Sequence, residues 1–393
     1  MSWSKIQLSS LCHKITDGSH NPSQGINKSE YLMLSSKNIF HDDINFKDPR
    51  YLTKEDFEQE NKRTDVVEDD ILLTIVGTIG RVAVVSNNTP KFTLQRSVAV
   101  LKPKTELIEP RFLMYSLRNM TDSLASESRG VAQKGIYLKQ IRELEISLPP
   151  LPEQQKIASI LDAADSLRQK DQQLIEKYTA LSQSLFLEMF GDPVSNPMGW
   201  DKKNLQDLVK SVIDCPHTTP NWTSSGKVAI RTSNLTQGGW SWKDKRFVSE
   251  EDFHDRSKRG YVKSGDIILS REGTVGVLAI VDMEMEICLG QRLVQLIPDF
   301  SLANNYYLLH LLLYELEPER ISRIMVGATS KHLNVKELRE MNLPVPPIDL
   351  QNQFAERILA IEAQKKLALA SLEKSAALFN SLLQRAFKGE LTT

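Results

Sequence analysis

Asp70-Ile-Leu-Leu-Thr-Ile-Val-Gly77-Thr-Ile-Gly80 is written again further along the chain, as Asp266-Ile-Ile-Leu-Ser-Arg-Glu-Gly273-Thr-Val-Gly276. Each copy is a short β-branched run closed by Gly-x-x-Gly, and a second apolar run follows at 82–85 and at 277–281. That order of signals reads as two strands joined by a turn. A Gly-x-x-Gly could instead cradle a phosphate. Neither copy has the Lys-Ser/Thr of a P-loop or the spacing of a dinucleotide fingerprint, so the turn is the better reading.

Working outward, the repeat extends over the chain at a period of roughly 197 residues with a single-residue slip. Trp3, Leu8 and Leu11 recur as Trp200, Leu205 and Leu208. Thr16-Asp17-Gly-Ser-His20 recurs as Ile213-Asp214-Cys-Pro-His217, and Ser36-Lys37-Asn38-Ile39 as Thr232-Ser233-Asn234-Leu235. Tyr51-Leu-Thr-Lys-Glu-Asp56-Phe57 matches Phe247-Val-Ser-Glu-Glu-Asp252-Phe253. Gln95-Arg96 matches Gln291-Arg292, and Leu148-Pro-Pro-Leu151 matches Val345-Pro-Pro-Ile348. Each half is therefore a mixed region, a Pro-Pro break and a long tail. The expected fold is α+β: two pseudo-symmetric mixed domains at 1–150 and 192–346, followed by helices at 151–191 and 347–393. Residues 111–120 and 305–316 are apolar at helical spacing and are expected to be core helices.

The tails have their own period. Pro152 suits a first helical turn, no Gly or Pro follows from 153 to 190, and Gly191-Asp-Pro193 ends the run. Its expected heptad seam is Ile157, Ile160, Ala164, Leu167, Leu174, Tyr178, Leu181 and Leu185, interrupted by Asp171. The second seam is Phe354, Ile358, Ile361, Ala368, Leu372, Phe379, Leu382 and Ala386, interrupted by Lys365 and Ser375. Two such seams on helices of roughly 55–60 Å, at 1.5 Å per residue, predict an antiparallel coiled coil between them. Asp171 facing Lys365 or Ser375 would then fix the register. Packing of each helix on its own domain is the alternative.

Composition narrows the function. Hydrophobic residues make 40% and charged residues 25%, an ordinary globular balance. No apolar run approaches the roughly 18 residues that span a bilayer, and the first residues lack the features of a signal peptide. The expectation is a cytoplasmic protein with no membrane contact. The three cysteines and seven histidines fall in no metal or redox spacing, so no metal and no cofactor is expected. Asp69-Asp70 and Glu250-Glu251-Asp252 are better read as caps than as catalytic pairs. The net charge of −1 lacks the basic footprint of a simple nucleic-acid binder, which calls for local basic patches or a partner's field.

Ile146-Ser-Leu-Pro-Pro-Leu-Pro-Glu-Gln-Gln-Lys-Ile157, Gly191-Asp-Pro-Val-Ser-Asn-Pro-Met-Gly-Trp200 and the Asp70-Ile-Leu-Leu turn motif carry a resemblance. With the tandem plan, they make the whole chain resemble the specificity subunit of type I restriction-modification systems. The second copy departs at Pro347-Ile-Asp-Leu-Gln-Asn352, where the Glu-Gln pair is missing but Gln351 stands at the place of Gln154. The resemblance implies a non-catalytic protein. Each domain would be a target-recognition domain reading one half of a bipartite asymmetric site in double-stranded DNA. The helices would dock two methyltransferase subunits, which bind S-adenosylmethionine and methylate adenine. Two ATP-dependent restriction subunits would join indirectly. A bipartite type II specificity subunit, a coiled-coil adaptor without DNA, and a pair of small methyltransferases or nucleases are the other readings. No base-methylation motif, Walker A or metal-nuclease constellation favours the last.

Candidate DNA contacts are polar residues at repeat-equivalent loops, of the types that read base edges and phosphates. In the first half these are His20, Asn21, Lys37, Asn38, Thr78, Arg96, Gln133 and Lys134. In the second they are His217, Thr218, Arg231, Asn234, Thr274, Arg292, Ser330, Lys331 and His332. Trp240, Trp242, Lys243 and Lys245 form a basic, aromatic loop without a counterpart. The contrary possibility is that equivalence marks scaffold and that base readers lie where the halves diverge, as at Ser270-Arg-Glu-Gly273.

Overall fold

A computed structural model describes residues 3–40, 42–126, 135–282, 286–317, 320 and 332–391. The chain forms two compact units: Met1–Gln172 with Ala370–Thr393, and Gln173–Leu369. Each long helix thus contributes to both units.

Unit 1 holds β1 (Ser4–Gln7), β2 (Cys12–Asp17), β3 (Tyr31–Leu34), β4 (Ile39–Phe40), β5 (Asp43–Ile44) and β6 (Arg50–Leu52). It continues with β7 (Ile71–Thr74), β8 (Val82–Val84), β9 (Phe92–Leu94), β10 (Val98–Pro103) and β11 (Glu145–Leu148). An antiparallel sheet runs β2-β10-β7-β8, with Val100 opposite Thr16 on one side and Leu72 on the other. A second sheet runs β6-β3-β9, with β3 and β9 parallel. Burial of both faces of β7 explains why Ile71, Leu72 and Leu73 are apolar in succession. Ile71 and Leu73 enter the core under the helix Pro110–Asn119, while Leu72 points oppositely and packs with Leu34 and Leu94.

Unit 2 repeats the plan with β12 (Lys202–Asn204), β13 (Val209–Asp214), β14 (Trp222–Thr223), β15 (Lys227–Ile230), β16 (Leu235–Thr236) and β17 (Gly239–Trp240). It continues with β18 (Phe247–Val248), β19 (Ile267–Ser270), β20 (Leu278–Ile280), β21 (Ile287–Leu289), β22 (Leu293–Pro298) and β23 (Asn342–Pro344). The equivalent sheet runs β13-β22-β19-β20, and a second runs β14-β18-β15-β21 with β15 and β21 parallel. The turn motif reads as expected: β7 pairs with β8, and β19 with β20, across the Gly-x-x-Gly. Gly276 sits at φ +83, and a Cβ there would come within 2.5 Å of the Leu316 carbonyl oxygen, so both conformation and space require glycine. The repeated helix starts are capped alike, by Thr53 accepting from Asp56 N and Ser249 from Asp252 N.

The long helices are Leu151–Phe190 and Ile348–Phe387, each closed by a left-handed glycine, Gly191 or Gly389. In unit 1, Ile157, Leu161 and Ala164 share a core with Phe379, Leu383 and Ala386. In unit 2, Phe186 and Phe190 share one with Phe354, Ile358 and Tyr307. The second helix keeps its expected seam. The first needs a correction. Ile157, Ala164 and Asp171 are buried as expected, but Leu167, Leu174 and Leu181 are 46%, 39% and 49% exposed, and inward places fall one residue later, as at Leu161 and Ser182. Polar residues take inward places because their atoms find partners. Arg168 Nη2 is 2.7 Å from Asp165, and Ser182 Oγ donates to Tyr178 O at 3.0 Å. Asp171 meets Ser375, whose hydroxyl donates to it at 2.7 Å, whereas Lys365 pairs with Glu362 at 3.6 Å.

A glutamine ties each helix to its domain. Gln154 Oε1 accepts from Glu109 N at 2.9 Å, and its Nε2 donates to Leu107 O (3.1 Å) and Pro149 O (2.9 Å). Gln351 does the same with Asn304 N (2.9 Å), Leu302 O (3.1 Å) and Pro346 O (2.8 Å). Glu109 and Asn304 are themselves the N-caps of the core helices Pro110–Asn119 and Asn305–Glu315.

His310, on the second of these helices, meets Phe354 edge-on at 5.3 Å, and desolvation together with Lys365 pushes its pKa down to about 4. A folded value below the unfolded 6.5 means that the unfolded chain takes up the proton first. Stability from this group is full above 6.5 and is lost as pH falls toward 4, by up to about 3 kcal/mol. Thermal melts of unit 2 between pH 7 and 4 should show this loss, and His310→Phe should flatten it; an unchanged slope in the variant would assign the loss to other groups.

Candidate nucleic-acid interface

In unit 1 several loops converge at one end of the sheets because the strands that carry them are bonded there. Asp17, at the end of β2, is buried and lies 2.9 Å from His20 Nε2. Arg63 holds it from the other side, pairing with its carboxylate and donating from Nε to its carbonyl at 2.9 Å. Ser19 O accepts from Arg96 N at 2.9 Å, which joins the His20 and Arg96 loops. Ser97 Oγ accepts from Ser36 N at 3.0 Å, and its carbonyl accepts from Ile75 N at 2.9 Å. The Lys37 turn and the Thr78 turn are thereby brought to the same end. Thr78, Arg96 and Asn21 are exposed. Lys37 is exposed too and pairs with Asp48 at 2.6 Å.

Unit 2 builds the corresponding end with different chemistry. Arg271 is 8% exposed, with Nε 3.1 Å from Asp214 and Nη1 3.0 Å from Glu272. Its Nη2 lies 3.4 Å from His217 Nδ1, and His217 Nε2 is 3.3 Å from Asp214. Arg292 reaches Glu272 at 3.6 Å, and Arg292 O accepts from Arg271 N at 3.0 Å. Arg292 has φ +67, a left-handed conformation costing of order 1 kcal/mol for a side chain of this kind. The surrounding bonds hold it there and aim an exposed guanidinium outward. His332 bridges to Glu272 along the backbone, and Thr274 lies in the exposed turn, 3.4 Å from Ser270 Oγ. Thr218 O accepts from the buried Arg256 at 2.6 Å.

Other candidates are placed in the scaffold. Asn38 and Asn234 are each 2% exposed, and their amides are used within the turn. Asn38 accepts from Ser35 N and donates to Asn45 O and Lys47 O, and Asn234 bonds Arg231 N, Ser241 O and Asp244 O in the same way. Arg231 is turned onto Asp244 at 2.7 Å. Trp240 and Trp242 stack at 5.3 Å, and Trp240 Nε1 donates to Ile280 O at 2.8 Å, so both rings are half-buried against the sheet. Lys243 and Lys245 stay exposed beside them. Gln133, Lys134, Ser330 and Lys331 lie outside the described residues. Repeat equivalence did not single out Arg271, Arg63 or Arg256. The divergence at Ser270-Arg-Glu-Gly273 was the signal for Arg271.

Among the described residues no group of three or more His, Cys, Asp or Glu is arranged to hold a metal, and no helix is long and apolar enough to cross a membrane. The three cysteines are buried, which pushes Cys12 and Cys288 up to about 12.

Two repeat-equivalent clusters of polar loops, each on its own sheet scaffold, define a two-domain recognition protein. The pattern of the type I restriction modification DNA specificity domain matches residues 2–177 and again 197–374. The chain belongs to that family, as a type I restriction-modification specificity subunit with two DNA-recognition domains. It is 23% identical over 325 residues to the type I restriction enzyme MjaVIII specificity subunit of Methanocaldococcus jannaschii, covering 77% of this chain and 74% of that one. It is 21% identical over 332 residues to the type I restriction enzyme EcoBI specificity subunit of Escherichia coli, covering 76% and 69%. Its fold matches the crystal structure of a type I restriction-modification S subunit from M. genitalium with a TM-score of 0.60 and 16% identity, over 98% and 96% of the two chains.

Proposed function

We propose that each unit reads one half of a bipartite, asymmetric site in double-stranded DNA. The helices form an antiparallel coiled-coil spacer that docks two adenine methyltransferase subunits, and through them two ATP-dependent restriction subunits. The chain performs no chemistry; it selects the site that its partners methylate or cut, in the cytoplasm. One observation carries the reading: the two loop clusters are equivalent in position and different in chemistry. Where unit 1 has Ile75 and Val76, unit 2 has the ion-paired Arg271 and Glu272. A shared scaffold with divergent tips suits two half-sites of different sequence. The contacts assigned are His20, Asn21, Lys37, Thr78 and Arg96 in unit 1, and His217, Thr218, Lys243, Lys245, Thr274 and Arg292 in unit 2. The Ser375–Asp171 bond supports the register of the spacer. A net charge of −1 fits a reader whose partners supply much of the phosphate contact.

Methylome sequencing with and without this chain is the test. One bipartite adenine-methylation motif should vanish in its absence, and an unchanged methylome would overturn the reading. Arg292→Ala should relax one half-site only, by about 1–3 kcal/mol of base discrimination. Equal loss at both half-sites would contradict one unit per half-site.

A further inference from the structure

The same seam is filled with protein in unit 1 and open in unit 2. In unit 1, Arg118 pairs with Asp42 and lies 3.8 Å from Asp165, with its guanidinium 4.3 Å from the centre of the Phe379 ring. Arg168 completes the set at 2.7 Å from Asp165. The repeat puts Leu313 at the place of Arg118, Gly238 at Asp42, Glu362 at Asp165, Lys365 at Arg168 and Ser182 at Phe379. The backbone supports this pairing. Asp42 and Gly238 are both left-handed, at φ +64 and +78, and donate to the equivalent carbonyls of Val82 and Leu278. All five unit 2 residues line one cavity of about 960 Å³.

We propose that this cavity is a binding site for an uncharged, planar heteroaromatic molecule of nucleobase or nucleoside type. The volume is that of a small-molecule site, with apolar walls and a few convergent polar groups. Phe186, Trp240 and Tyr306 supply aromatic wall. Trp240 is preset, stacked on Trp242 and held through its ring nitrogen by Ile280 O. Such rings reward a flat π-system. Lys365 pairs with Glu362 at 3.6 Å, and Glu317 with Arg320 at 3.7 Å. The other charged lining residues, Asp282 and Lys366, are exposed and opposite in sign. An ionic ligand seated against Lys365, Glu362 or Glu317 would have to displace one of these pairs. His310, also in the wall, is neutral at pH 7, since desolvation holds its pKa near 4. A neutral imidazole offers one donor and one acceptor, which a heteroaromatic edge can use and a plain hydrocarbon cannot. The proposal rests on the cavity and stands apart from DNA reading.

The test is calorimetric titration of the full chain with adenosine, indole, cyclohexanol and benzoate. Adenosine and indole should bind saturably, and cyclohexanol and benzoate at least about tenfold more weakly. His310→Phe should weaken adenosine about tenfold and leave indole within a few-fold, the loss expected for one hydrogen bond. The double change Gly238→Asp with Leu313→Arg rebuilds the unit 1 filling and should abolish binding, with a thermal melt to establish that the variant is folded. Equal binding of all four probes, no binding of any, or unaltered binding in the folded double variant would each overturn the proposal.

Discussion

Gln154→Leu lowers the stability of unit 1 by about 3–6 kcal/mol, and Gln351→Leu does the same to unit 2. Each side chain is almost wholly buried, at 1% and 0% exposure, and makes three hydrogen bonds to backbone. Leucine fills the space but leaves one N–H and two carbonyls without partners. A buried polar group stranded in this way costs about 1–3 kcal/mol, so three place the effect near the top of what single substitutions produce. Glutamate is no remedy. It keeps the acceptor for Glu109 N but turns the donor toward Leu107 O and Pro149 O into a second carboxylate oxygen. The neighbouring exposed Gln155 is the control, and its change to Ala should stay within about 0.5 kcal/mol. Denaturant unfolding of the full chain measures all four variants. A loss under about 1 kcal/mol for either leucine variant would mean that water or a shifted loop replaces the bonds.

This bond set also explains a local departure from the family's phrase. The second copy lacks the Glu-Gln pair yet keeps Gln351, because the fold needs a primary amide at that one position. The repeat made the position legible and gave no hint of the partners, which are backbone atoms of the adjacent Pro-Pro break and of a distant loop. The seams show a similar boundary. The second helix was legible because Phe354, Ile358, Ala368 and Phe379 are both apolar and buried. The first was displaced by one residue at Leu167, Leu174 and Leu181, since Arg168 and Ser182 hold inward places that hydropathy assigns outward. At the candidate interface, equivalence identified the loops but also selected Asn38 and Asn234, which hold the turn together from inside. Burial separates the two kinds of repeated residue: Asn38 and Asn234 are each 2% exposed and belong to the shared scaffold, whereas Arg96 and Arg292 are exposed. Arg271 follows from the opposite signal, as a charged residue that appears where its counterpart is isoleucine.

If the helices dock methyltransferase subunits as proposed, Leu174→Glu with Leu181→Glu should abolish that assembly while leaving the chain folded. Both residues lie in unit 2, seven positions apart on one face of the first long helix, and are 39% and 49% exposed. A single exposed leucine needs no explanation, but a row of them on an ordered helix is a surface suited to a second helix. The same period that buries Ile157 and Leu161 in unit 1 leaves these two outside, so they are not part of the core that the chain makes by itself. Full burial of a leucine is worth about 1.5–3 kcal/mol, and a carboxylate forced into the interface adds a further desolvation cost. Losing both should therefore weaken assembly by at least about 100-fold, or about 3 kcal/mol. Exposed positions cost little in the free chain, within about 0.5 kcal/mol each, so its melting temperature should hold. Leu161→Glu is the contrast, since that side chain is fully buried and its replacement should unfold unit 1. Sedimentation of the mixed subunits and adenine methylation of a target plasmid give two readouts. Normal assembly and methylation by the double variant would move the docking surface elsewhere on the helices; loss of assembly together with a lowered melting temperature would make the row part of the chain's own packing.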